Sequence, residues 1–201
     1  MRSWKAFRVG LGLIAVVLPM SCVPVFNPLY TEADLVLDEN LAGIWVEEDS
    51  ARWRFEKSDG KSYILTYLEM GLDSDPPRDP GKRAKFDAHL VRLGDVLFMD
   101  LYPHSYPNEF FMENDLLKSH LVPAHSISRI WIEEDAIRIA MLDPEWLDEA
   151  LTSGEIEIAH NRGEEGVLIT ATTPELQAFA LSIADNEKAF GVMVELERVK
   201  R

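Results

Sequence analysis

GIWVEEDSARWRFEKSDGKSYILTYLE, residues 43–69, decides the fold class. Within it RWRF, 52–55, alternates charged and aromatic side chains, the period-two pattern of a strand with one face in a core and the other in water. SDG, 58–60, supplies turn residues, and KSYILTYLE resumes the strand pattern, so the two runs form a hairpin.

The theme repeats outward from there. KFDAHLVRL, GD and VLFMDLY, residues 85–102, read as a second hairpin, with Phe86, Ala88 and Leu90 on one face and Asp87 and His89 on the other. SISRIWI, EED and AIRIAMLD, 126–143, make a third. EIEIAH, an NRGEEG turn, VLITAT and finally MVELERV follow, for about nine short strands in a mainly antiparallel order. The stretch from Met70 to Arg83, with GLDSDPPRDPGK at its centre, is dense in Gly, Pro and Asp and reads as an exposed loop.

Two helices interrupt the strands. DPEWLDEAL begins with Asp143 as N-cap and Pro144 at the first helical position; TPELQAFALSIA is expected to use Thr173 and Pro174 in the same roles. Leu176, Phe179, Ala180 and Ile183 recur at helical spacing, so this second helix should bury one stripe against the sheet. Gly154 and Gly191 stand where helix stops are expected. The expected fold is mainly β: an antiparallel barrel or curved sheet of about eight to nine strands with two or three short helices.

LDENLAGIW, 37–45, puts a turn directly before Gly43, Ile44 and Trp45, which resembles the GxW that opens the first strand of lipocalin-like (calycin) barrels. The resemblance implies that Trp45 plugs the barrel floor beneath an Arg from the last strand, here Arg198.

The N-terminus is of a different kind. MRSWKAFR carries Arg2, Lys5 and Arg8, and VGLGLIAVVLPMS, 9–21, has no charged side chain. Thirteen helical residues rise only about 20 Å, short of a bilayer's hydrocarbon, so residues 1–21 read as a signal peptide. Ser21-Cys22 then resembles the end of a bacterial lipoprotein lipobox, although Pro19 and Met20 depart from its usual Leu and small residue. That resemblance implies cleavage before Cys22, acylation of its sulfur and a membrane-anchored protein. Val23, rather than Asp, after the cysteine implies an outer-membrane location facing the periplasm.

NPLYT (27–31), DLV (34–36), GIW, LDPEWL (142–147) and ELQAF (175–179) together resemble a family of uncharacterised bacterial lipoproteins that carries no assigned chemistry. The expected organisation is a signal peptide over 1–21, a lipidated segment over 22–36 and one β-rich domain over 37–201. Most lipoproteins follow the cysteine with a Ser/Gly tether; VPVFNPLYT, with Pro24 and Pro28, reads as a stiff extended segment lying on something. Thr31 and Asp34 mark a short capped turn after it.

Charge narrows the function classes. Three of the 20 basic residues lie in the first 21, so the remainder carries 35 acids against 17 bases and repels phosphate backbones, which argues against nucleic acid as a partner. One cysteine excludes an intrachain disulfide and cysteine-based metal clusters. The histidines are His89, His104, His120, His125 and His160; none shares helix-face or strand-face metal spacing with another, and neither a metal nor another cofactor is expected. No nucleophile elbow, P-loop or HExxH motif occurs, so an enzyme is not expected.

LYPHSYPNEFFMEND, 101–115, concentrates Tyr102, His104, Tyr106, Phe110 and Phe111 in a segment broken by Pro103 and Pro107; such aromatics are expected first to fold back on the core, and otherwise to form a ligand or partner loop. The leading expectation is a lipid-anchored envelope module whose barrel binds an apolar or amphiphilic small ligand. The alternative is a filled barrel that binds an envelope protein.

Overall fold

The computed structural model describes residues 22–48, 51–69, 82–104, 122–164 and 166–200. Eight strands close a barrel: β2 (Gly43–Glu47), β3 (Ala51–Lys57), β4 (Tyr63–Glu69), β5 (Lys82–Leu93), β6 (Val96–Pro103), β7 (Ser126–Ile132), β8 (Ala136–Met141) and β11 (Val192–Arg198). Each is antiparallel to its sequence neighbour through β8, and β11 then pairs with both β8 and β2 to shut the ring. A short strand, β1 (Leu35–Val36), adds to β5 beyond the point where β4 ends.

The excursion between β8 and β11 holds helix α1 (Pro144–Ser153), the hairpin of β9 (His160–Gly163) and β10 (Gly166–Ile169), and helix α2 (Thr173–Ser182). Asp143 caps α1, its Oδ1 accepting from the backbone N–H groups of Glu145 and Trp146 at 2.8 and 2.9 Å. α2 starts one residue earlier than its sequence suggests. Thr172 is the cap, in a reciprocal box with Glu175, because the Thr173 hydroxyl instead donates to the Pro28 carbonyl at 2.9 Å. Gly154 ends α1 in the left-handed region, whereas Gly191 ends no helix: α2 stops at Ser182, nine residues before it.

EIEIAH is also corrected. Only His160 of that run is in a strand; Ile158 is buried in the layer around the helices, so the alternation reflects docking onto that layer rather than sheet pairing. The expected loop over 70–83 lies outside the described residues up to Gly81, and Lys82 and Arg83 already belong to β5. Among the described residues no helix is long and apolar enough to cross a membrane.

Two cores result. Inside the barrel pack Trp45, Phe55, Tyr63, Leu65, Leu90, Met99, Ile137 and Ile139, all essentially inaccessible. Outside it, α1, α2 and residues 23–29 cover Val91, Leu93, Phe98, Ile127 and Ala140. The strand sequences follow from this. β3 has one wet face and alternates cleanly, Trp53 and Phe55 in and Arg52 and Arg54 out. β6 is covered on both faces, so Phe98, Met99, Asp100 and Leu101 are buried in succession.

The segment after Cys22 is stitched down as an extended strap. Val25 exchanges hydrogen bonds with His125 at 2.9 and 2.7 Å, Phe26 N–H donates to the Ile169 carbonyl at 2.8 Å, and Ile169 N–H donates to the Pro24 carbonyl at 3.1 Å. Asn27 Nδ2 reaches the Ala171 carbonyl, and Gln177 of α2 donates to the Leu29 carbonyl and to Asp34. Val23, Val25 and Leu29 are buried beneath it, so apolar burial and backbone pairing together remove the freedom a tether would have.

Candidate functional site: the two ends of the barrel

One end is shut. Arg198 lies across Trp45, guanidinium carbon 4.1 Å from the ring centroid, an arrangement in which a cation faces the electron-rich ring. Its Nε donates to the Glu134 carbonyl at 2.6 Å, Nη1 to Ala42 at 3.2 Å and Nη2 to Asn40, so one side chain ties two turns over the barrel. Trp45 Nε1 in turn donates to the Leu41 carbonyl at 3.0 Å. Gly43 makes room: its φ is +151°, and a Cβ there would stand 2.7 Å from Arg198 Nη1. Tyr63 completes the floor, its hydroxyl accepting from Asp38 N–H and donating to the Asp38 carbonyl.

Among the described residues the other end is open. A concavity of about 540 Å³ is lined by Trp53, Leu65, Tyr67, Phe86, Leu101 and Met141 from the strands and by Cys22 and Pro24 from the strap, with Glu69, Pro103, Ala124, His125 and Ser126 at its margin. Trp53 and Tyr67 meet edge to face at 5.2 Å, and Trp53 Nε1 donates to Glu47 at 3.3 Å, which fixes the aromatic wall. The volume lies within the range of small-molecule sites, about 300 to 1,000 Å³. A larger depression of about 710 Å³ outside the floor mixes apolar Ile44, Phe55 and Val199 with the charged Arg54, Glu56, Asp135, Arg198 and Lys200.

Cys22 stands on the rim of the mouth. The residue is accessible, yet its sulfur lies 3.6 Å from Met141 Sδ, and the surrounding atoms push the thiol pKa up from its ordinary value by desolvation. A protonated thiol is a poor nucleophile at neutral pH.

A polar cluster absent from the sequence reading sits beside the mouth on the outer face of β5 and β6, closed by His125 just ahead of β7. Asp100 is 0% exposed; it accepts Leu29 N–H at 2.8 Å and holds His125 Nδ1 at 2.7 Å. His89, opposite Asp100 on the neighbouring strand, stacks on Tyr30 at 4.3 Å, and its Nδ1 is buried with no partner. Burial pushes His89 below the ordinary imidazole value against the pull of Asp100 and Asp87, and pushes the Tyr30 hydroxyl up. The one sequence signal for this cluster was an aspartate inside the apolar run VLFMDLY.

Tyr102 and His104 belong to that outer face. Tyr102 packs against the His125 ring at 4.6 Å, and His104 Nδ1 meets Asp87 at 2.7 Å, while Pro103 between them borders the mouth. Tyr106, Phe110, Phe111 and His120 lie outside the described residues, as do residues 1–21. Among the described residues no group of three or more His, Cys, Asp or Glu side chains is arranged to hold a metal.

With this geometry in hand, the class of protein is that of its fold, a closed eight-stranded antiparallel β-barrel with a blocked floor and an apolar mouth. No protein-family model, curated protein or solved structure matches the chain.

Proposed function

We propose that the protein is a lipid-anchored module of the bacterial cell envelope, of lipocalin-like type, that binds an apolar or amphiphilic small ligand in the mouth of its barrel and catalyses no reaction. The observation that carries the binding reading is the apolar concavity of about 540 Å³ with Cys22 on its rim. Because Trp45, Phe55, Tyr63 and Met99 fill the interior below, the ligand is held shallowly, against Trp53, Tyr67 and Phe86, and not threaded through the barrel. The anchor rests on the basic and apolar N-terminus and on the resemblance of Ser21-Cys22 to a lipobox; the outer membrane, periplasmic side, is the location this favours.

Native mass spectrometry of protein purified from membranes, together with uptake of a fluorescent fatty acid, tests the ligand. Co-purified lipid or saturable uptake is expected; the absence of both overturns the reading. Metabolic labelling with a clickable fatty acid tests the anchor, and a Cys22→Ala variant that still takes up label sinks it.

The filled lower barrel favours a second reading, an interaction protein whose acidic surface meets a basic envelope partner. Crosslinking in membranes distinguishes the two, since a reproducible partner released by salt supports this second reading.

A further inference from the structure

The strap sets the distance between whatever precedes Cys22 and the barrel. Val23 is already buried, and Pro24 borders the mouth, so no slack residue separates Cys22 from the rim. Neighbouring Cα atoms are about 3.8 Å apart, so a membrane element ending at Cys22 holds the mouth against the bilayer surface rather than reaching out from it. This holds for an acyl anchor on Cys22 and equally for the uncharged run 9–21 that leads into it.

A point attachment does not fix tilt; the side chains around it do. Val23 and Val25 of the strap face inward, so Pro24 and Phe26 face outward, and Phe26 is 51% exposed. Val122, two residues before Ala124 on the margin of the mouth, is 67% exposed. The exposed apolar pair at the other end, Ile44 and Val199, is instead ringed by Arg54, Glu56, Asp135 and Lys200, groups that favour water.

We infer that the mouth end of the barrel is applied to a lipid bilayer, with Phe26 and Val122 in its headgroup layer, and that the ligand of the concavity is an acyl chain drawn directly from a bilayer lipid. This rests on the anchored, ligand-binding reading given above and names both its orientation and its ligand class. Glu69 on the same margin keeps the rim at the surface and favours zwitterionic over anionic lipid.

The test uses the full protein, carried by its own anchor, on phosphatidylcholine vesicles whose acyl chains are brominated, with tryptophan quenching as readout. In a Trp4→Phe background, quenching is expected in the parent, lost in Trp53→Phe and kept in Trp45→Phe, Trp131→Phe and Trp146→Phe. A Phe26→Ser, Val122→Ser double variant, altered only at exposed positions, should lose it too, whereas Ile44→Ser, Val199→Ser should not. Protein that floats with the vesicles and is not quenched, or whose quenching survives Trp53→Phe, overturns the inference and leaves the anchor standing. Protein that fails to float overturns the anchor and the inference together, while fatty-acid uptake in solution still judges the ligand reading alone.

Discussion

The floor and the mouth of this barrel are built from the same kinds of residue and behave oppositely. Each has a tryptophan on an adjacent strand, Trp45 and Trp53, directly opposite each other in the β2–β3 register. At the floor Trp45 is covered by Arg198 and its indole donates to backbone; toward the mouth Trp53, just as buried, packs against Phe55 and Tyr67 and donates to the Glu47 carboxylate. One cation that satisfies three carbonyls makes the floor a plug, whereas Trp53 and Tyr67 border an apolar concavity.

Substitutions can break this contrast, and the floor should respond most. Trp45→Ala is expected to cost about 4 kcal/mol, the range for truncating a buried aromatic, read as a lower denaturant midpoint at unchanged slope. Asp100→Ala, which unpairs the buried His125 and the Leu29 N–H and so frees the strap near the mouth, should cost about 3 kcal/mol. A loss below about 1 kcal/mol would mean that apolar contacts alone hold the strap. Gly43→Ala should cost about 2 kcal/mol, because the left-handed backbone and the 2.7 Å approach of Arg198 act together; loss of Trp45 near-ultraviolet dichroism would report the displaced guanidinium. Phe86→Ala at the mouth, where one face is already wet, should cost only about 1 kcal/mol yet abolish fatty-acid uptake.

The smallest effect is a pH dependence. Burial keeps His89 neutral in the fold, while the unfolded chain takes up a proton near the ordinary value of 6.5, so the unfolded state binds more protons as pH falls below that value. Stability should be full above pH 6.5 and decline as pH drops toward the lowered folded pKa. His89→Gln should flatten that decline in thermal melts between pH 7 and 5.

The contrast also explains what could be read without coordinates. Strands whose outer face meets water announced themselves: Trp53 and Phe55 alternate with arginines, and the GxW and terminal Arg198 carried the floor pair. Where both faces are covered the alternation vanishes, so the buried acid at position 100 stands out only as one charge in an apolar run. EIEIA showed the converse failure, a period-two pattern that packs on helices and pairs with no barrel strand. The start of α2 slipped by one because a tertiary contact, Thr173 to Pro28, claimed the hydroxyl that local chemistry would assign to the cap. The mouth was illegible for a plainer reason: its wall is gathered from the strap, β3, β4, β5, β6 and β8, and no local pattern records that convergence.

Ring closure by β11 against β2 also bears on how the chain is made. Trp45 and Arg198 are register partners separated by most of the polypeptide, so the floor forms only after the final strand has emerged. Seven strands can meander into place as they appear, but the sheet keeps two raw edges until residues 192–198 arrive, and non-local pairing of this kind is slow. A chain delivered N-terminus first thus has its strap and mouth strands in place before its floor is sealed. Truncation before β11 should leave a sheet that seeks its missing partner in another molecule.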